Sequence, residues 1–149
     1  MKGMIGPRHG AQDIPAAGPG YILVVDDDED MRELVRLHLQ NAGHRVVTAE
    51  DAVVAGHRVM ERVPDLIIAD CRMPYMSGTE FIAALRSDVT IPDIPVIFMT
   101  GMENTSELVG KTFGFPLLTK PMLADELLAM VARQLSARRV RQPPAGPGL

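Results

Sequence analysis

Apolar residues in this chain gather into short continuous runs, and each run stops on a polar residue. Tyr21-Ile22-Leu23-Val24-Val25 stops at Asp26-Asp27, and Leu66-Ile67-Ile68-Ala69 stops at Asp70. Val96-Ile97-Phe98-Met99 stops at Thr100, and Leu117-Leu118-Thr119 stops at Lys120. Runs without apolar–polar alternation are the pattern of strands buried on both faces, as in parallel sheets. A further short strand is predicted from Arg45 to Ala49.

Helical spacing fills the intervals. Met31, Leu34, Val35 and His38 share one face of a predicted first helix, which Gly43 ends. Asp51 to Arg62 reads as a second helix, with Val54, Arg58 and Glu61 one turn apart, and Pro64 breaks the chain after it. Ser77-Gly78-Thr79-Glu80 is a capping box for a third helix bearing Phe81, Ile82 and Leu85. The last helix is predicted from Met122 to about Arg139, with Leu123, Leu127, Leu128, Val131 and Leu135 as its apolar stripe. Gly101 to Gly114 is the weak interval: Leu108 and Val109 are the apolar residues in its middle, and Gly110 interrupts it. A short or mobile helix is expected there. Five strand–helix units in succession predict an α/β fold, a doubly wound five-stranded parallel sheet with helices on both faces.

In open parallel sheets, chemistry collects outside the carboxyl ends of the strands. Asp26, Asp27, Asp70, Thr100 and Lys120 should therefore meet at one edge. Carboxylates brought together repel one another unless a cation sits among them, which marks the cluster as functional. Taken singly, the same residues have plainer explanations. Asp26 to Asp30 suits the positive end of a helix, and an isolated lysine is usually a solvated one.

Composition narrows the class. The chain has 149 residues, a formal charge of -4 and a single cysteine, Cys71. An internal disulfide is excluded, and a reducing cytoplasm is the expected location. The acidic balance argues against a general nucleic-acid surface, and no run is long enough to span a bilayer. Strand alternation points Cys71 away from Asp70. His9, His38, His44 and His57 have no metal-ligand spacing among them. Glycine and proline dominate residues 1–20 and 140–149, expected to be tails around a domain at 21–139.

The pieces Ile22-Leu23-Val24-Val25-Asp26-Asp27-Asp28, Asp65 to Asp70, Met73-Pro74 with Gly78, Thr100-Gly101 and Lys120-Pro121 occur in order. Together they resemble the receiver domain of bacterial two-component response regulators, the chemotaxis-regulator-like type, here expected to stand alone. The resemblance implies a flavodoxin-like (βα)5 fold with strand order 2-1-3-4-5. It implies that Asp70 accepts a phosphoryl group from a phosphohistidine on a histidine kinase or histidine phosphotransfer protein. It also implies a Mg²⁺ ion held by Asp27, Asp70 and the backbone carbonyl of Arg72, with Asp26 acting through water. Thr100 and Lys120 would contact the phosphoryl group, and Lys120-Pro121 would be a cis peptide. Such a protein signals by protein contact; its own chemistry is limited to gaining and losing the phosphoryl group.

The sequence departs from the family pattern at Leu117, where the family usually has an aromatic residue three positions before the lysine. Its inward swing reports phosphorylation, and a leucine has no polar tip with which to make it. Two other classes compete. A small Mg²⁺-dependent phosphatase of the haloacid-dehalogenase type would use Asp26 or Asp28 as nucleophile. A phosphorylation-independent adaptor would keep the fold alone.

Overall fold

The computed structural model describes the backbone of residues 18–141 and the side chains of residues 18–137. The expected tails fall largely outside these residues, at 1–17 and 142–149. Gly20, assigned to the first tail, is instead buried, and its N–H donates to His44 Nδ1 at 3.0 Å. Residues 140 and 141, assigned to the second, belong to the last helix.

Five parallel strands form one sheet: β1 (Tyr21–Val25), β2 (Arg45–Ala49), β3 (Leu66–Asp70), β4 (Val96–Gly101) and β5 (Leu117–Lys120). Their order is β2-β1-β3-β4-β5, as the resemblance implied. Helices α1 (Glu29–Asn41), α2 (Ala52–Glu61) and α3 (Gly78–Ser87) follow the first three strands. A 3-10 helix (Met102–Leu108) follows β4, and α4 (Ala124–Arg141) closes the described chain.

The sheet is wound on both sides because its strands are apolar on both sides. Alternate residues Ile22, Val24, Leu66, Ile68, Ile97 and Met99 pack with Val35 and Leu39 of α1 and with Leu127, Val131 and Leu135 of α4. Their neighbours Leu23, Val25, Ile67, Ala69, Val96 and Phe98 pack with Ala55 and Val59 of α2 and with Phe81 and Ile82 of α3. At about 25 cal/mol per Å² of apolar surface, these two layers are the main source of stability.

The caps fit the sequence well. Asp28 Oδ1 accepts from the N–H groups of Asp30 and Met31 at the start of α1. The capping box of α3 is complete: Ser77 Oγ accepts from Glu80 N, and Glu80 Oε1 accepts from Ser77 N. Gly43 takes φ +97° just beyond α1, a conformation costly for residues with a Cβ.

The helical faces needed correction. Leu34 and Leu123 are 47% and 71% exposed, while Leu39 and Leu127 carry the burial. The expected second helix forms as α2, and its buried positions are Ala52, Ala55 and Val59. The α4 helix begins at Ala124, two residues later than the expected start at Met122. The weak interval after Thr100 forms 3-10 rather than α-helix. Its seven residues exceed the usual length of such helices.

Candidate phosphate and metal site

Register brings the polar strand ends together. Val25 pairs with Ala69, so Asp26 and Asp70 leave the sheet side by side. Asp70 pairs with Met99, and Gly101 pairs with Lys120, which places Thr100 and Lys120 at the same edge. Carboxylate oxygens of Asp26, Asp27 and Asp70 all lie within 4.8 Å of one another. These are the three carboxylates expected to meet.

Lys120 sits between two of them. Its Nζ donates to Asp70 Oδ2 at 2.6 Å and to Asp26 Oδ2 at 3.1 Å. Asp70 Oδ1 accepts from the backbone N–H of Arg72 at 3.0 Å, and Asp26 Oδ1 accepts from that of Asp28, also at 3.0 Å. Asp26 is fully buried and Asp70 nearly so, whereas Asp27 is exposed. Burial pushes the Asp26 carboxyl up to about 6; the Asp28 N–H opposes that, the charge of Asp70 adds to it, and Lys120 opposes it. Burial alone would lower the Lys120 pKa, but the two carboxylates outweigh it and raise the value.

The donor set suits Mg²⁺. That ion favours one or a few carboxylates together with waters and oxygen ligands, and an exposed Asp27 leaves an open side for them. An open cavity of about 430 Å³ lies alongside, lined by Asp27, Cys71, Arg72, Met73 and Ser77. Thr100 is completely buried, yet its Oγ1 has no hydrogen-bond partner among the described residues. A buried hydroxyl without a partner is costly unless something else engages it.

Two local features hold the loops in place. Lys120-Pro121 is cis, as the resemblance implied. Gly78 is required for space rather than for a special turn. It opens α3, and a Cβ there would lie 2.2 Å from the carbonyl oxygen of Asp70. Its own N–H donates to Cys71 O at 3.0 Å. The Cys71 side chain packs with Ile67 and Ala69 on the opposite face from Asp70. Burial, with the charge of Asp70 behind it, drives that thiol up to about 12 and disfavours the thiolate.

The sequence did not reveal Asn104. It lies in the 3-10 helix, is 9% exposed, and its Oδ1 accepts from Arg72 Nη2 at 2.8 Å. No periodicity marks that interval, so nothing in the sequence singled out a polar residue there for burial. The Arg72 side chain likewise has a role beyond the backbone carbonyl expected of it.

Comparison with known proteins agrees with this geometry. Residues 22–132 match the family described as the response regulator receiver domain. Response regulator MprA of a Mycobacterium species is 36% identical over 133 residues, covering 88% of this chain and 57% of that protein. The phosphate regulon transcriptional regulatory protein PhoB of Pseudomonas aeruginosa is 36% identical over 110 residues, covering 72% of this chain and 48% of that one. The chain thus spans about half the length of these curated relatives. Among solved structures, the chemotaxis response regulator CheY4 of Vibrio cholerae superposes with a TM-score of 0.70 at 32% identity, covering 78% of this chain and 98% of that one. The receiver domain of NtrX from Brucella abortus gives 0.71 at 31%, covering 76% and 97%. No helix among the described residues is long and apolar enough to cross a membrane. With the predicted strand order, the strand-end cluster and this match along most of its length, the chain belongs to the response regulator receiver domain family of two-component signalling.

Proposed function

We propose that Asp70 accepts a phosphoryl group from a phosphohistidine on a histidine kinase or phosphotransfer protein. The observation that carries this reading is the pairing of a nearly buried Asp70 with Lys120 at 2.6 Å, beside a buried Thr100 hydroxyl without a partner among the described residues. A carboxylate oxygen of Asp70 attacks phosphorus, the phosphorus–nitrogen bond breaks, and the electron pair returns to the departing imidazole. Lys120 shifts its hydrogen bond from the carboxylate to a phosphoryl oxygen, keeping a cation against the transferred charge. Thr100 gains in the phosphoryl group the acceptor that its hydroxyl lacks. Mg²⁺, held by Asp27, Asp70 and the backbone carbonyl of Arg72, with Asp26 acting through water, would neutralise charge on the phosphoryl oxygens.

The phosphatase alternative is disfavoured by Asp28. Its carboxylate caps α1 and is committed to the N–H groups of Asp30 and Met31, so Asp26 and Asp28 do not form a catalytic pair.

The test is incubation with acetyl phosphate and Mg²⁺, followed by intact mass and borohydride trapping of the acyl phosphate. One phosphoryl group on the wild type and none on Asp70→Asn is the expected result. Labelling that persists in Asp70→Asn, or moves to Asp26, would overturn the assignment. A receiver that signals without phosphorylation would show no adduct at all.

A further inference from the structure

Arg72 stands two residues beyond Asp70, and its two ends reach different parts of the molecule. Its backbone N–H donates to Asp70 Oδ1, while its guanidinium donates to Asn104 Oδ1 at 2.8 Å. The same Nη2 lies 3.7 Å from Glu107 Oε1. Asn104 and Glu107 both belong to the 3-10 helix. The buried polar and charged residues among those described are Asp26, Asp70, Thr100 and Asn104. The first three are the strand-end cluster; Asn104 is the one that lies outside it.

The 3-10 helix is otherwise thinly held. Its N-cap, Gly101, supplies no side-chain hydrogen bond, and Met102 at its start is exposed. Leu108, at its far end, packs only partly against the core. The hydrogen bond from Arg72 is therefore a main tie between this segment and the loop that follows Asp70.

We propose that Arg72 is a latch that phosphorylation of Asp70 opens. With Asp70 free, the guanidinium holds the 3-10 helix through Asn104; with Asp70 phosphorylated, it transfers to the phosphoryl oxygens and the helix is released. The proposal rests on the reading of Asp70 as acceptor. A guanidinium binds a doubly charged phosphoryl group, often through two parallel hydrogen bonds, more strongly than it binds a neutral amide oxygen. Glu107 competes weakly, because that pair is mostly exposed to solvent. The Arg72 side chain is itself 68% exposed, so little packing opposes its movement. Once it leaves, the Asn104 carbonyl is buried without a donor, and the segment must open to restore a partner. Leu117, partly buried against the core, has no polar tip to swing, and the latch provides a readout without one.

The test is hydrogen–deuterium exchange of residues 102–109 in the full chain, with and without acetyl phosphate and Mg²⁺. Phosphoryl occupancy is read by intact mass on the same samples. Wild type is expected to exchange this segment about tenfold faster once phosphorylated, the change that loss of one such hydrogen bond produces. Arg72→Ala should show the fast exchange before phosphorylation and little change after it. Asn104→Asp turns the neutral acceptor into a carboxylate, strengthens the latch, and should keep the segment protected even when Asp70 is modified. Equal protection in unmodified wild type and Arg72→Ala would overturn the latch. So would unchanged exchange in wild type with confirmed occupancy. A lack of occupancy would sink the acceptor reading, and release with it, while the comparison of unmodified proteins still decides whether Arg72 holds the segment.

Discussion

The ammonium of Lys120 lies 2.6 Å from Asp70 Oδ2, and the two residues are 50 positions apart in the chain. The contact fills one carboxylate oxygen of the acceptor with a donor that can follow the charge onto a phosphoryl group. It also keeps two buried aspartates from facing each other without a cation, since Lys120 reaches Asp26 as well.

Lys120→Met should therefore destabilise the metal-free protein. The lysine is 19% exposed, so the loss is expected at about 1–3 kcal/mol, below that of a fully buried pair. Urea unfolding measures it. Mg²⁺ should recover part of the loss, because a cation then stands again between the carboxylates.

Asp26 gives the site a pH dependence. Its carboxyl is held at about 6 by burial, above the ordinary 3.8 of an aspartate. The folded protein thus holds this proton more tightly than the unfolded chain does. The group's stabilising contribution is complete below 3.8 and is lost as pH rises towards 6. Metal binding runs in the opposite direction, because protonating Asp26 removes a negative charge beside the cation and an acceptor for the water it holds. Mg²⁺ affinity, followed by calorimetry, should fall as pH drops through about 6, and Asp26→Asn should remove that step.

Two glycines should respond oppositely to alanine. At Gly78 the added methyl would meet the Asp70 carbonyl at 2.2 Å, and backbone cannot give way as a flexible side chain can. Gly78→Ala is expected to cost about 1–3 kcal/mol and to disturb the acceptor loop. Gly56, within α2, has open space around its Cβ position, and Gly56→Ala should stabilise by about 0.5–1 kcal/mol. Denaturation midpoints of the two variants decide both statements.

The strand ends were legible because a strand buried on both faces must be continuously apolar. A polar residue closing such a run, as Asp70 closes Leu66 to Ala69, marks where the strand leaves the sheet. The helix faces were less legible. Leu34 and Val35 fit the same helical spacing, but the sheet covers a narrower strip than the stripe suggests, and Leu34 is left outside. The contact between the Arg72 side chain and Asn104 carried no sequence signal, because a hydrogen bond between positions 32 apart leaves no periodicity behind.

By itself the sequence determined the alternation of strands and helices, the capping box at Ser77 and which polar residues stand at strand ends. These depend on local propensity and on the burial pattern of single elements. Strand order came from the family resemblance. Only the tertiary structure decided that Lys120 bridges Asp26 and Asp70, that Gly78 is needed to clear the Asp70 carbonyl, and that Arg72 reaches Asn104. Each of these is a contact between elements, fixed by sheet register and loop path, and a linear pattern holds no record of either.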